Sequence, residues 1–228
     1  MRYSGFKTDK VRVFPGLNRM ADYERHLGNR NRRVTLLELG VLGGESLLLW
    51  REFFPNSEVI GIDRKLPPSF GPHVGIKMLC GEQSDAEFLS RVGQTCGPFD
   101  IIVDDCSHFG DLSKVSFWGL FPHLKPGGLY VIEDWSTGYL RDWPDGHSYT
   151  APPPNLLARR LARRLGIKLR WPCYSYGMVG FVKELVDHVA MFDIGRGVTG
   201  NTEGGVSPFE SMVFTPGAVI ITKRKGVL

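Results

Sequence analysis

Cysteine is scarce and unpatterned: the 228 residues hold only Cys80, Cys96, Cys106 and Cys173, with no C-x-x-C pair or regular spacing among them. That argues against both a zinc site and a disulfide framework, and reduced thiols are the simplest reading. Long apolar runs are missing too, none approaching the roughly 20 residues that cross a bilayer. The first residues, Met1-Arg2-Tyr3-Ser4-Gly5-Phe6-Lys7, lack the apolar stretch of a signal peptide, so a cytoplasmic chain is expected. There is no internal repeat. Neither sign of charge dominates, since 28 Lys+Arg face 24 Asp+Glu, and the excess is local. Arg159, Arg160, Arg163, Arg164, Lys168 and Arg170 stand together with no acid among them, and setting these six aside leaves 22 bases against 24 acids.

What is present can build a core. At 42% hydrophobic and 11% aromatic residues, wholesale disorder is excluded and one sizeable globular domain is expected. Between about residues 33 and 135, short apolar runs alternate with amphipathic stretches, the pattern of βα units in a parallel sheet. Strands are predicted over 34–39, 58–62, 76–79, 99–103 and 129–132, the last preceded by a turn at Lys125-Pro126-Gly127-Gly128. Helices are predicted over 46–54, 86–92, 114–121, 156–169 and 179–190. Residues 141–155 and 195–207 read as loops, and 210–214 with 218–222 flank Pro216-Gly217 as a β-hairpin. The expected fold class is α/β: a Rossmann-like, doubly wound, mostly parallel sheet finished by a C-terminal antiparallel hairpin, with ligands beyond the carboxyl ends of the strands.

The first strand runs into Glu38-Leu39-Gly40-Val41-Leu42-Gly43-Gly44, and the second ends at Asp63. Glycines here permit a tight turn and close approach of a ligand to the backbone where a helix begins. Taken alone, Gly40 and Gly43 serve a plain turn equally well, with Asp63 capping a helix. A dinucleotide fingerprint G-x-G-x-x-G would need glycine where Glu38 stands, and a carboxylate repels a pyrophosphate but attracts an ammonium. Asp63, twenty residues after Gly43, is placed to accept hydrogen bonds from ribose hydroxyls. A ligand with a ribose, an amino-acid end and no phosphate is S-adenosylmethionine.

The segments Leu36-Leu37-Glu38-Leu39-Gly40-Val41, Gly61-Ile62-Asp63, Phe99-Asp100-Ile101-Ile102-Val103-Asp104-Asp105 and Leu124-Lys125-Pro126-Gly127-Gly128-Leu129-Tyr130-Val131-Ile132-Glu133-Asp134 resemble class I S-adenosylmethionine-dependent methyltransferases. Within that superfamily they are most similar to the metal-dependent macrolide sugar O-methyltransferases of the mycinamicin and macrocin type. The similarity covers roughly residues 33–140 well and the terminal hairpin loosely. Gly81-Glu82-Gln83-Ser84-Asp85 resembles that group's loop near the adenine. The resemblance implies a single methyltransferase domain over 1–228: a cofactor-binding core at 33–140, a variable lid and acceptor region at 141–208, and the hairpin at 209–228. Glu38, Gly40, Gly43, Asp63, Gln83, Ser84 and Asp104 are the candidate cofactor-binding residues.

Asp104, Asp105 and His108 follow the fourth strand, and Glu133 and Asp134 follow the fifth. If those strands are neighbours, the five side chains converge at one crevice. Carboxylates gathered without basic partners repel unless a cation or protons resolve them, and hard oxygen ligands suit Mg²⁺. Asp104 could instead turn inward, and many methyltransferases of this fold use no metal. The resemblance assigns Asp105, Glu133 and Asp134 as metal ligands and His108, in an Asp-x-Ser-His motif, as general base beside Asp105. Cys106 stands where relatives usually have glycine. His123 and His188 read as structural.

Leu156, Leu157, Leu161, Leu165 and Ile167 interleave with the six bases, so 156–170 can pack one face and expose a cationic one. Trp135, Tyr139, Trp143, Tyr149, Trp171, Tyr174 and Tyr176 are either packing residues or an acceptor lining. The resemblance implies methyl transfer to a hydroxyl of a small molecule such as a sugar moiety of a natural product, with Mg²⁺ orienting the acceptor. Two alternatives stay open: an RNA methyltransferase docking through 156–170, and a noncatalytic or hydroxylase-like relative of the fold. Homo-oligomerisation is left open as well.

Overall fold

The computed structural model describes residue 3, residues 5–147, residues 157, 160, 161 and 164–166, residues 177–191, 193 and 194, and residues 205–226. Most of the basic stretch 156–170 and of the 195–207 loop lies outside these, as do Cys173, Tyr149, Trp171, Tyr174 and Tyr176. Among the described residues no helix is long and apolar enough to cross a membrane, and Cys80, Cys96 and Cys106 are free thiols.

Residues 9–26 form elements that no sequence pattern marked. A 3-10 turn, Asp9–Val11, is capped by Thr8, and a ribbon of β1 (Val13–Phe14) and β2 (Leu17–Asn18) leads into α1 (Arg19–His26), where the Asn18 side chain accepts from the Ala21 amide. The alternating units follow: β3 (Thr35–Leu39), α2 (Glu45–Phe53), β4 (Glu58–Asp63), β5 (Ile76–Cys80), α3 (Ala86–Cys96), β6 (Phe99–Asp104), α4 (Gly110–Leu120) and β7 (Leu124–Glu133). Helix α5 (Gly177–Val189) precedes the hairpin β8 (Phe209–Phe214) and β9 (Ala218–Lys223). The seven-stranded sheet has the order β5-β4-β3-β6-β7-β9-β8, parallel through β7, with β9 antiparallel to both neighbours. This is the expected Rossmann-like fold with its terminal hairpin.

One element differs in kind. Lys125-Pro126-Gly127-Gly128 is not a turn before the strand but a bulge within β7: Phe99 pairs with Leu124 and Ile101 already with Leu129. Gly127 takes the left-handed backbone (φ 74°) this requires.

Strand alternation divides the core. Leu37, Leu39, Ile102, Tyr130, Ile132, Val219 and Ile221 pack with α3, α4 and α5, through Leu89, Phe117 and Phe181 among others. Leu36, Ile101, Val103, Val131 and Ile220 pack on the other face with α1 and α2, through Tyr23, Leu27, Trp50 and Phe53. His123 and His188 are packing residues as expected: His123 lies against Gly93, and His188 stacks edge-on to Trp118.

Candidate active site

The same period of two sorts the acids. Glu38, Asp105 and Glu133 share the parity of Leu36, Val103 and Val131, so they leave β3, β6 and β7 on the α1/α2 face. Asp104 has the parity of Ile102 and leaves on the other face, where it accepts from Gln83 Nε2 (3.0 Å), Ser116 Oγ (2.6 Å) and Tyr130 (3.4 Å). The five strand-end groups therefore do not all converge. Asp104 and Gln83 form a buried network below the crevice, which Ser107 joins by donating to Gln83 Oε1.

Nor do the acids meet without basic partners, as the sequence suggested. Lys10 is completely buried, and its Nζ lies 2.5 Å from Asp105 Oδ2, 2.6 Å from Glu133 Oε1 and 3.2 Å from Glu38 Oε1. Arg19 pairs with Asp134 Oδ1 and reaches Glu133 Oε2 at 3.3 Å, while the Tyr23 hydroxyl donates to Glu133 Oε1. Lys10, Arg19 and Tyr23 thus fasten the N-terminal segment to Glu133. The ammonium that Glu38 meets in this structure is that of Lys10.

On the donor side, Asp63 staples the glycine loop by accepting from the amides of Val41 and Leu42, both at 3.0 Å, with Oδ1 taking the Lys65 amide. Gly40 (φ 83°) touches the next strand end, for a Cβ there would fall 2.2 Å from the Asp105 carbonyl oxygen. Gly43 is exposed with open space where a side chain would be; Gly44 (φ 86°) is the residue that caps α2. Ser84 is exposed in the turn after β5.

Among the described residues, non-glycine positive φ occurs at Leu42, His108 and Asp134, following β3, β6 and β7 respectively. Such backbone is costly for residues with a Cβ and concentrates at functional sites. His108 Nε2 lies 3.7 Å from Asp105 Oδ1 and 3.9 Å from Asp134 Oδ2, and these three side chains offer ligand atoms within 4.8 Å of one another. The His108 carbonyl accepts from Thr137 Oγ1 and Trp143 Nε1, both at 3.2 Å, and the Trp143 ring lies tilted to the imidazole at 6.0 Å between centroids. Trp135 is instead tied to the hairpin through the Thr215 carbonyl. Asp145, which no motif marked, accepts from the Gly110 and Met178 amides and holds the N-terminal ends of α4 and α5 beside the site.

Burial pushes Asp104 up to about 6 and Asp105 and Glu133 up to about 7. Burial likewise raises Cys106, to about 12, which makes it an inert thiol. Lys10 is penalised by its burial too, but the surrounding Asp105, Glu133 and Glu38 outweigh this and hold its pKa well above the ordinary value. A carboxyl with a raised folded-state pKa binds its proton more tightly folded than unfolded, so stability falls as pH rises from near 4 through those values. In chelator, the melting temperature should therefore fall as pH is raised from about 5 to about 8. A flat or rising profile would mean that Lys10 and Arg19 keep these acids ionised.

The sheet order, its antiparallel strand β9 and the glycine turn after β3 make up a Rossmann-like fold shared with solved methyltransferases. More particularly, the chain is similar to sugar O-methyltransferases of macrolide biosynthesis. It is 45% identical over 130 residues to the mycinamicin VI 2''-O-methyltransferase of Micromonospora griseorubida, a match covering 54% of this chain and 32% of that protein. It is 40% identical to the demethylmacrocin O-methyltransferase of Streptomyces fradiae, with the same coverage. The solved MycE methyltransferase of the mycinamycin pathway, in complex with Mg and SAH, matches with a TM-score of 0.70 at 30% identity over 90% of this chain and 49% of that one. The chain thus spans about half the length of that structure, and its match to the first relative covers 32% of that protein. No family model matches.

Proposed function

We propose that this chain carries an S-adenosylmethionine-dependent O-methyltransferase site that methylates a hydroxyl on a sugar moiety of a small natural product or glycoconjugate. The observation that carries the reading is the outward group Asp105, His108 and Asp134 beside the Gly40 turn, in a fold shared with an Mg- and SAH-bound relative. The mycinamycin VI complex of that relative favours a glycoside as acceptor. Residues 33–140 would form the donor core and 141–208 the acceptor region.

A divalent cation fits the residues present. Five carboxylates, Asp9, Glu38, Asp105, Glu133 and Asp134, meet two cations, Lys10 and Arg19, so acids outnumber bases at the site. Glu38 Oε1 and Glu133 Oε2 are buried and accept no hydrogen bond. Asp105, Glu133 and Asp134 would hold Mg²⁺, which supplies an anchor for the acceptor hydroxyl and eases loss of its proton. His108 accepts that proton at Nε2, and the flanking carboxylates stabilise the resulting imidazolium. Asp63 receives the ribose hydroxyls while fixing the loop that Gly40 and Gly43 open to the donor. Gln83 and Asp104 support that loop's neighbours from below, and Ser84 lies at the rim on the adenine side. Trp143 helps fix the His108 backbone by donating to its carbonyl. The donor's methyl group is already activated, so positioning and desolvation supply most of the acceleration.

Incubation with S-adenosylmethionine and a panel of glycosides, read by mass spectrometry, should give a methylated product, and EDTA should stop it. Asp63→Ala should weaken donor binding about tenfold or more by calorimetry, because a hydrogen bond to a charged group is lost. Unchanged affinity would sink the donor placement, and full turnover in EDTA would remove the metal from the reading.

A further inference from the structure

Lys10 occupies a position that no motif marks. Its ammonium arrives from a 3-10 turn outside the sheet and enters between three carboxylates borne on three adjacent strands, β3, β6 and β7. Glu38, Asp105 and Glu133 offer oxygens within 4.8 Å of one another, a cage fit for one cation. The ammonium lies within salt-bridge distance of all three, and neither it nor the two glutamates are reached by solvent.

We propose that Lys10 is the internal cation of this site, a positioning residue that fills the inner cage and leaves a divalent ion only the outer carboxylate oxygens of Asp105, Glu133 and Asp134, with His108 free beside them. Two features support this division. Asp105 faces both ways, with Oδ2 on Lys10 and Oδ1 toward His108, so one carboxylate is shared between the fixed charge and the outer group. Glu38 is held from behind by Ser46 Oγ of α2 at 2.6 Å, so Lys10 also ties the donor loop to the strand ends that carry the acids. A positive charge within 4 Å of shared ligands repels a second cation strongly at low dielectric. The lysine therefore lowers the divalent affinity of the cluster and limits it to one ion. Without it, Glu38 and Asp105 lose their ammonium and Glu133 keeps only Arg19 and Tyr23, which leaves oxygen donors of the type that Mg²⁺ and Mn²⁺ take.

The inference rests on the proposed metal reading, but its test uses neither donor nor acceptor. Mn²⁺ alone is titrated into the full chain and free ion is followed by electron paramagnetic resonance. Wild type is expected to take up one Mn²⁺. Lys10→Met should bind a second ion, or bind the first about tenfold more tightly, a gain that loss of a merely packing side chain does not produce. Glu38→Gln, with Lys10 in place, should stay at one. A Lys10→Met protein that matches wild type in both stoichiometry and affinity overturns the proposal. If wild type binds no Mn²⁺ and Lys10→Met binds one, the metal reading fails while the role of Lys10 stands. Should Lys10→Met not fold, the double variant Lys10→Met, Glu38→Gln removes one charge of each sign. Its recovery of the folded state supports a charge role, and its failure to fold assigns Lys10 to packing and overturns the idea.

Discussion

Glu133→Ala is expected to lower the unfolding free energy by about 3–5 kcal/mol, the cost of leaving buried charges without their partner. Glu133 is completely buried and receives three groups from the N-terminal segment: Lys10 at 2.6 Å, the Tyr23 hydroxyl, and Arg19 at 3.3 Å. Truncation strands two cations at once and opens space at the end of β7. Part of the loss is offset, because Lys10 keeps Asp105 and Glu38 and Arg19 keeps Asp134 and Asp9. Glu133→Gln preserves volume and an acceptor for Tyr23, so it should cost less. Urea unfolding followed by circular dichroism gives both values, and limited proteolysis should show cleavage between residues 5 and 26 first in Glu133→Ala. A loss below about 1 kcal/mol, within the range of an exposed ion pair, would mean that the N-terminal segment is not anchored here.

The parallel strands were legible because each is a short apolar run ending in a residue of special type, and their positions differ from expectation by a residue or two except at β7. There, Pro126-Gly127-Gly128 signals a chain reversal, and only pairing with β6 turns it into a bulge. The acids were legible as a cluster but not in their sorting, although the strand period contains it: Asp104 and Asp105 are consecutive and must face opposite sides. Lys10, Arg19 and Tyr23 were missed for a different reason. They meet Asp105, Asp134 and Glu133 across separations of 95 to 123 residues, which no local spacing encodes. A signal did exist in the acids themselves, since four carboxylates gathered at neighbouring strand ends demand countercharge, and the basic residues before β3 were available to provide it. Asp145 is similar: a lone acid in a Pro- and Gly-rich stretch gives no motif, yet two helix N-terminal ends need an acceptor.

His108→Ala should reduce methyl transfer by about 10²–10⁴-fold, the usual contribution of a positioned general base, while leaving donor affinity unchanged. The expectation comes from how the imidazole is held. Its backbone is fixed in the left-handed region, and its carbonyl is pinned by Thr137 and Trp143, so the ring is aimed from the end of β6 rather than left to a mobile loop. Neither Asp105 nor Asp134 comes closer than 3.7 Å to Nε2, which leaves that nitrogen free to take a proton and places two carboxylates to stabilise the charge that results. Trp143→Phe removes one of the two donors to the His108 carbonyl without touching the ring nitrogens. It should lower kcat far less than His108→Ala and leave the donor Kd alone. Single-turnover rates with saturating donor, set beside donor binding by calorimetry, separate the base from a binding residue. If His108→Ala retained more than about a tenth of the wild-type rate, the proton would have to leave by another route, and Asp105 Oδ1, the nearest carboxylate oxygen to Nε2, would be the group to replace next.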